Sequence, residues 1–221
     1  MTPERVLQPS IGLKGARPLV SGAYRDVYQH PLDGDLLIKV IKTNAIERYI
    51  RRANWYSAWY GIGHYKSFLR EIEQYLVLRR RGQHELPFIQ HFAGVVETDL
   101  GLGTVVRKVR GRDGNLAPTL TALVRSQGLS AELKERIHAL RDDVIHEHIV
   151  FGDISGNNIV ESGDAGDRRR LVIVDGLSDR LWLPVNSMSR SFNRAYCTRR
   201  FARMMRELEA IERGKVNGRR P

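Results

Sequence analysis

The stretch Val150-Phe151-Gly152-Asp153-Ile154-Ser155-Gly156-Asn157-Asn158-Ile159-Val160 constrains the fold more than any other, because a polar, glycine-bearing loop interrupts two short apolar runs. This pattern predicts strand, loop, strand. Asn158 follows Asp153 closely enough to bring an amide oxygen near a carboxylate at a loop rim, and hard oxygens of that kind suit a proton or Mg2+. A second apolar run, Leu171-Val172-Ile173-Val174, ends in Asp175-Gly176, where the glycine permits a sharp exit. Two predicted strand ends thus each offer an aspartate. The bland alternative is that Asp153, Asn158 and Asp175 only cap turns, as Asp and Asn often do.

The first twelve residues carry little pattern. From Leu13 to Ile41 the chain breaks into short apolar pieces separated by turns, and Asp33-Gly34 before Leu36-Leu37-Ile38-Lys39-Val40-Ile41 is a hairpin signal, so three strands are expected by Lys42. Period-two alternation sets Lys39 between Leu37 and Ile41 on one face, where its ammonium needs an anion to stay charged. A lysine snorkelling at a sheet edge is the alternative. Lys42 ends the run and is expected in solvent.

Residues 43–66 interleave Arg48, Tyr49, Arg51, Arg52, Trp55, Tyr56, Trp59, Tyr60, Tyr65 and Lys66. The mixture suits base stacking or a membrane interface, or equally a helix packed by its aromatics and ended by Gly61-Ile62-Gly63. A second helix is predicted from Lys66 to Arg81, with Phe68, Leu69, Ile72, Tyr75, Leu76 and Leu78 at helical spacing. Two strands around a glycine-rich turn follow in the region of Phe88 to Val106, extending the sheet to about five strands. Gly111-Arg112-Asp113-Gly114 reads as a loop. Leu120 to Gln127 reads as a helix, and Ser130 caps a longer one to His146. His146-Glu147-His148 invites a metal reading, but neighbouring histidines at a helix end are more often surface groups. Arg168-Arg169-Arg170 is expected on a hairpin turn and 181–189 in an irregular segment. The chain then closes with a helix from about Ser189 to Arg213, striped by Phe192, Phe201, Met204, Met205, Leu208 and Ile211.

The spacing of Asp153 to Asn158, followed by Asp175-Gly176, resembles the protein-kinase-like superfamily, with D-x-x-x-x-N as catalytic loop and Asp-Gly as metal-binding loop. The resemblance implies that Asp153 accepts or orients the acceptor hydroxyl, that Asn158 and Asp175 hold Mg2+, and that Lys39, braced by a helical glutamate, contacts the phosphates of ATP. Glu71 is the first choice for that glutamate and Glu73 the second. Aligning Val27 with the valine of G-x-G-x-x-G-x-V leaves Gly22 as the middle glycine, with Val20 and Arg25 at the outer positions; Arg25 can reach a phosphate by side chain instead. Phe151 and Gly152 stand where protein kinases carry histidine and arginine, and the Gly-Asp pair is more similar to aminoglycoside-type and choline-type kinases. Without that arginine, control by a phosphorylated activation loop is not implied. The glycine usual after Asp-Gly is replaced by Leu177.

The blocks Val27-Tyr28-Gln29-His30-Pro31, Ile38-Lys39-Val40 and Val96-Glu97-Thr98-Asp99-Leu100-Gly101-Leu102-Gly103 together resemble the bacterial PhoP regulatory network family YrbL, over about residues 13–210. That resemblance implies a reduced kinase-like fold and, by its name, a link to a two-component system, but no substrate. The expectation is an α+β, two-lobed protein-kinase-like fold. An antiparallel N-lobe sheet with one helix and the 43–66 insertion spans 1–109, and a minimal helical C-lobe spans 110–221. The Lys39 side chain and both aspartates would face a cleft between them. Two functions follow: ATP- and Mg2+-dependent phosphotransfer to a small-molecule or protein hydroxyl, or a weak or inactive regulatory module that keeps the fold.

Charge and composition bound these readings. At 221 residues, 42% hydrophobic and 28% charged, the chain can bury a core and is not disordered in composition. No window of the sequence has the apolar length of a membrane span and Met1-Thr2-Pro3-Glu4-Arg5 does not open a signal peptide, so a cytoplasmic location is expected. Cys197 is the single cysteine, which excludes an internal disulfide and a thiolate cage, and its helical context favours an inert thiol. Of the net charge of +11, most lies toward the C-terminus, where ten Lys/Arg face three Glu between Arg190 and Arg220. Such an end suits an anionic partner or, blandly, a solvated helix face. A nucleic-acid binder using 48–66 or this tail is a third function.

Overall fold

The computed structural model describes residues 10–52, 65–83, 85–163, 169–177 and 189–217. Trp55 to Gly63, Asp164 to Arg168, most of 181–189 and the basic pair Arg219-Arg220 lie outside them. The chain is α+β and divides into two compact units, one of Met1–Leu69 with His91–Lys108, the other of Arg70–Gln90 with Val109–Pro221.

The first unit holds a five-stranded antiparallel sheet. Its strands are β1 (Val20–Ser21), β2 (Arg25–Gln29), β3 (Leu36–Ile41), β4 (Phe92–Thr98) and β5 (Gly101–Arg107), in the order β1-β2-β3-β5-β4. The β2–β3 connection is set by its turn chemistry: Asp33 accepts from the Asp35 amide at 2.7 Å, and Gln29 donates across the loop to the carbonyls of Asp33 and Leu36 at 3.0 and 2.7 Å. Alternation then sorts β3. Ile38 and Val40 join Leu13, Tyr28 and Val105 in one core cluster. Each fully buried aliphatic side chain of this kind contributes about 2 kcal/mol. Lys39 belongs to the other face, directly opposite Val27 on β2 and Thr104 on β5. Lys42 is not left in solvent: its Nζ lies 2.6 Å from Ser21 Oγ and 3.3 Å from Asp26 Oδ1. Helix α1 (Thr43–Arg52) follows, and the rest of the stretch read as a helix up to Gly61-Ile62-Gly63 lies outside the described residues.

The start of the chain has more structure than its pattern suggests. Ile11 pairs in parallel with Thr98 at the sheet edge, and Asp99 accepts from the amides of Leu13 and Lys14 at 2.7 and 3.0 Å. These two backbone hydrogen bonds, the Leu13 one foremost, hold the Asp99 carboxyl below its ordinary value of 3.8. A depressed folded-state pKa stabilises docking fully above the ordinary value, and the contribution is lost as pH falls through the lower one. The Leu13 and Lys14 amide resonances are therefore expected to titrate together with a midpoint below 3.8, and to lose that titration in Asp99→Asn. A midpoint at or above the ordinary value would count against the strap.

Helix α2 (Lys66–Arg80) carries Phe68, Glu71, Tyr75 and Leu78 on its buried face, while Leu69 and Leu76 are exposed. In the second unit, α3 (Leu120–Gln127) is capped by Thr119 and α4 (Ala131–His146) by Ser130, whose hydroxyls accept from the Ala122 and Leu133 amides. Two short strands, β6 (Ile159–Ser162) and β7 (Arg170–Ile173), pair antiparallel. Phe88 to Gln90, expected with the large sheet, instead runs beside β7, through Ile173 N to Phe88 O at 2.8 Å and Gln90 N to Ile173 O at 2.9 Å. The last helix, α5 (Arg190–Asn217), buries Asn193, Cys197, Phe201, Met204 and Leu208. Phe192, expected in that stripe, is 44% exposed, and Asn193 takes its place at 1%. The exchange is chemical, because the Asn193 amide donates to the Ile149 carbonyl at 3.0 Å inside the core.

Candidate functional site

Asp153, Asn158 and Asp175 come from segments that are stitched together by backbone hydrogen bonds within the second unit. Gly152 N and Asp153 N both donate to the Gly176 carbonyl, at 3.1 and 3.3 Å, and Phe151 forms an antiparallel bridge with Leu177. Val150 and Phe151 are therefore not a regular strand; Phe151 contributes one bridge residue, and the strand proper begins at Ile159. Asn158 ties the third side. Its amide Nδ2 donates to the Asp153 carbonyl at 2.8 Å and its own carbonyl accepts from Val174 N at 2.9 Å. Asp175 Oδ1 accepts from the Gly176 amide at 2.7 Å. All three polar side chains remain partly exposed, at the rim of loops whose apolar flanks are buried. The Asn157–Asn158 turn is anchored in turn by Asn158 N to Ser155 O, and the loop by Thr121 N to Gly156 O, both at 3.1 Å.

The remaining sequence-predicted residues are distributed between the units. In the first, Lys39 is 6% exposed at the centre of β3. Gly22 and Arg25 close a tight turn by Gly22 N to Arg25 O at 2.9 Å, with Tyr24 exposed at its tip. In the second, Glu71 is 2% exposed within the apolar face of α2, whereas Glu73 on the same helix is exposed. The two glutamates thus differ in burial. Among the described residues no three His, Cys, Asp or Glu side chains gather as a metal cluster. The pair named for Mg2+, Asn158 and Asp175, is one amide and one carboxylate.

The family model described as PhoP regulatory network protein YrbL matches residues 11–209. The chain belongs to the YrbL family. Two bacterial relatives, each called "Uncharacterized protein YrbL", from Escherichia coli (strain K12) and Shigella flexneri, are 27% identical to it over 183 residues, covering 81% of this chain and 79% of each relative. A crystal structure of Rad53 1-466 in complex with AMP-PNP overlaps it with a TM-score of 0.45 and 20% identity, over 73% of this chain and 37% of that one, a likeness too slight to argue from. No helix among the described residues is long and apolar enough to cross a membrane.

In this YrbL-family chain two residues at the Asp153 loop escaped the sequence reading. Tyr196 on α5 donates its hydroxyl to the Gly152 carbonyl at 2.9 Å, and Arg200, one turn further on, brings Nη2 to 3.9 Å from Asp153 Oδ1. Arg200 entered the sequence reading only as part of a charge count. The signal that marks both is their spacing, since each is adjacent to a core residue of α5, Cys197 or Phe201. Cys197 itself is fully buried, and burial pushes its thiol up to about 12, which keeps it protonated and inert as expected. His146 is exposed and its Nδ1 lies 3.0 Å from Glu147 Oε1, while His148 is buried beside Asn193.

Proposed function

We propose that the chain is a kinase-like regulatory module that binds a nucleotide with Mg2+ and transfers its phosphoryl group weakly or not at all. The observation that carries the reading is the Asn158 side chain: with its nitrogen committed to the Asp153 carbonyl at 2.8 Å, its oxygen is the atom left to ligate a hard cation, together with the Asp175 carboxylate. Bound there, Mg2+ would neutralise charge on the phosphate oxygens. Lys39, with Glu71 as its candidate brace and Gly22 and Arg25 as the covering turn, would contact the phosphates of ATP. In a transfer, Asp153 would take the acceptor hydroxyl proton while the acceptor oxygen bonds to the terminal phosphorus and the bond to the departing ADP breaks. The acceptor would be a small-molecule or protein hydroxyl.

Two features favour the weak or inactive form over a full transferase. Val20 and Arg25 stand at positions where a phosphate-covering loop needs glycine for close backbone approach, and the turn closes on itself through Gly22 and Arg25. The charged surface of α5 supports a binding role toward an anionic partner. Calorimetry with Mg-ATP is the test. Wild type is expected to bind, Asp175→Ala to bind at least about tenfold more weakly, and Asp153→Ala to bind with near-native affinity. Absence of nucleotide affinity in wild type would end the reading. Robust turnover that Asp153→Ala abolishes would replace the weak module with an active phosphotransferase.

A further inference from the structure

Helix α5 grips the Asp153 loop at three points. Phe201 sets its ring edge against Phe151, with centroids 6.4 Å apart at 71°, Tyr196 holds the Gly152 carbonyl, and Arg200 stands beside the Asp153 carboxylate. The first contact is between side chains and the second holds the loop backbone, and neither involves Arg200. The third is of another kind. At 3.9 Å the guanidinium is a charge neighbour of Asp153 Oδ1, well beyond the length of a charge-assisted hydrogen bond. Its Nε is buried with no hydrogen-bond partner among the described residues, although a buried N–H donor is costly to leave without an acceptor. The loop from Gly152 to Asn158 contains no lysine or arginine, so positive charge beside Asp153 has to come from another element.

We propose that Arg200 is a ligand-binding residue that holds an anionic phosphoryl oxygen next to Asp153, its planar fork turning from the carboxylate to the ligand. The proposal takes its chemistry from the nucleotide reading above and rests on it. A guanidinium suits the role because its N–H groups are spread in one plane and match two phosphoryl oxygens at once, which a lysine does not. The oxygen belongs either to the terminal phosphate of the nucleotide or to a phosphate carried by the acceptor, and the two sources separate experimentally.

The experiment is calorimetry of wild type, Arg200→Ala, Arg200→Lys and Tyr196→Phe with Mg-ATP, Mg-ADP and inorganic phosphate, each variant checked by its melting temperature. Arg200→Ala is expected to weaken ATP roughly tenfold or more, with ADP affinity unchanged and partial recovery in Arg200→Lys. That outcome assigns the terminal phosphate. Loss of phosphate affinity with ATP affinity unchanged assigns the acceptor side. Equal loss for all three ligands, mirrored by Tyr196→Phe and a lower melting temperature, would mean that Arg200 is a structural brace and would overturn the proposal, as would no change at all. Wild type that binds phosphate through Arg200 but no nucleotide would sink the nucleotide reading and leave the anion site standing; wild type that binds neither would remove both.

Discussion

Glu161→Ala is expected to lower the unfolding free energy by roughly 3 kcal/mol or more. All four residues of β6 are buried, so Glu161 has no route to solvent along its own strand. It is compensated by Arg136 of α4, whose Nη1 donates to Glu161 Oε1; the Glu161 side chain is 8% exposed and that of Arg136 18%. The only other carboxylate ion-paired with Arg136 among the described residues is Glu132, at 3.9 Å and mostly exposed, too distant and too hydrated to replace Glu161. Removing Glu161 therefore strands a largely desolvated guanidinium, and the cost is that of an uncompensated charge more than of a lost contact. The double variant Arg136→Met/Glu161→Leu is expected to recover most of the stability, because two apolar side chains of similar size ask nothing of the low-dielectric interior. Urea denaturation reads both. A Glu161→Ala cost under about 1 kcal/mol, the range of a surface pair, would show that water reaches this site.

The elements that the sequence announced are those whose signals are local. Asp33 and Gln29 shape the β2–β3 turn with their own side chains, and Ser130 caps α4 with its own hydroxyl, so each boundary is written in a few adjacent residues. Glu71 was named from its kinase-like context, and α2 buries it beside Phe68, Tyr75 and Leu78. What failed depended on partners distant in the chain. Phe192 was assigned to the core by hydrophobicity, yet the position facing inward belongs to Asn193, whose partner carbonyl is Ile149. Lys42 was assigned to solvent as the end of a run, yet the neighbouring strands carry Ser21 and Asp26 to its ammonium. Val150 and Phe151 have the composition of a strand and meet only one bridge partner, Leu177. Tyr196 and Arg200 had no motif to announce them, because their relation to Gly152 and Asp153 exists only once α5 has packed on Phe151.

Gly176→Ala and Gly82→Ala are expected to separate backbone strain from the close approach on which the Asp153 loop depends. Both glycines have positive φ, +87° and +73°, so an alanine at either pays about 1 kcal/mol for a left-handed backbone. Gly82 ends α2, with Gln83 N donating to Leu78 O at 2.8 Å, and a Cβ there would meet nothing within 4 Å. Its substitution should cost only that strain and leave Mg-ATP affinity unchanged. At Gly176 the added carbon would lie 2.9 Å from the Asp153 carbonyl oxygen and 3.0 Å from both Asp153 Cβ and Phe151 Cε2. These neighbours cannot yield cheaply, since the Asp153 carbonyl is the atom that Asn158 Nδ2 holds and Phe151 is wholly buried against Phe201. The loop must therefore move as a unit, carrying Asp153 and Asn158 away from Asp175. The expected result is a stability loss of roughly 3 kcal/mol, strain and overpacking together, with nucleotide affinity down by tenfold or more. Equal stability losses in the two variants would mean that the close contact of Gly176 with Asp153 carries no energy. A destabilised Gly176→Ala that still bound Mg-ATP like wild type would uncouple this loop junction from the ligand.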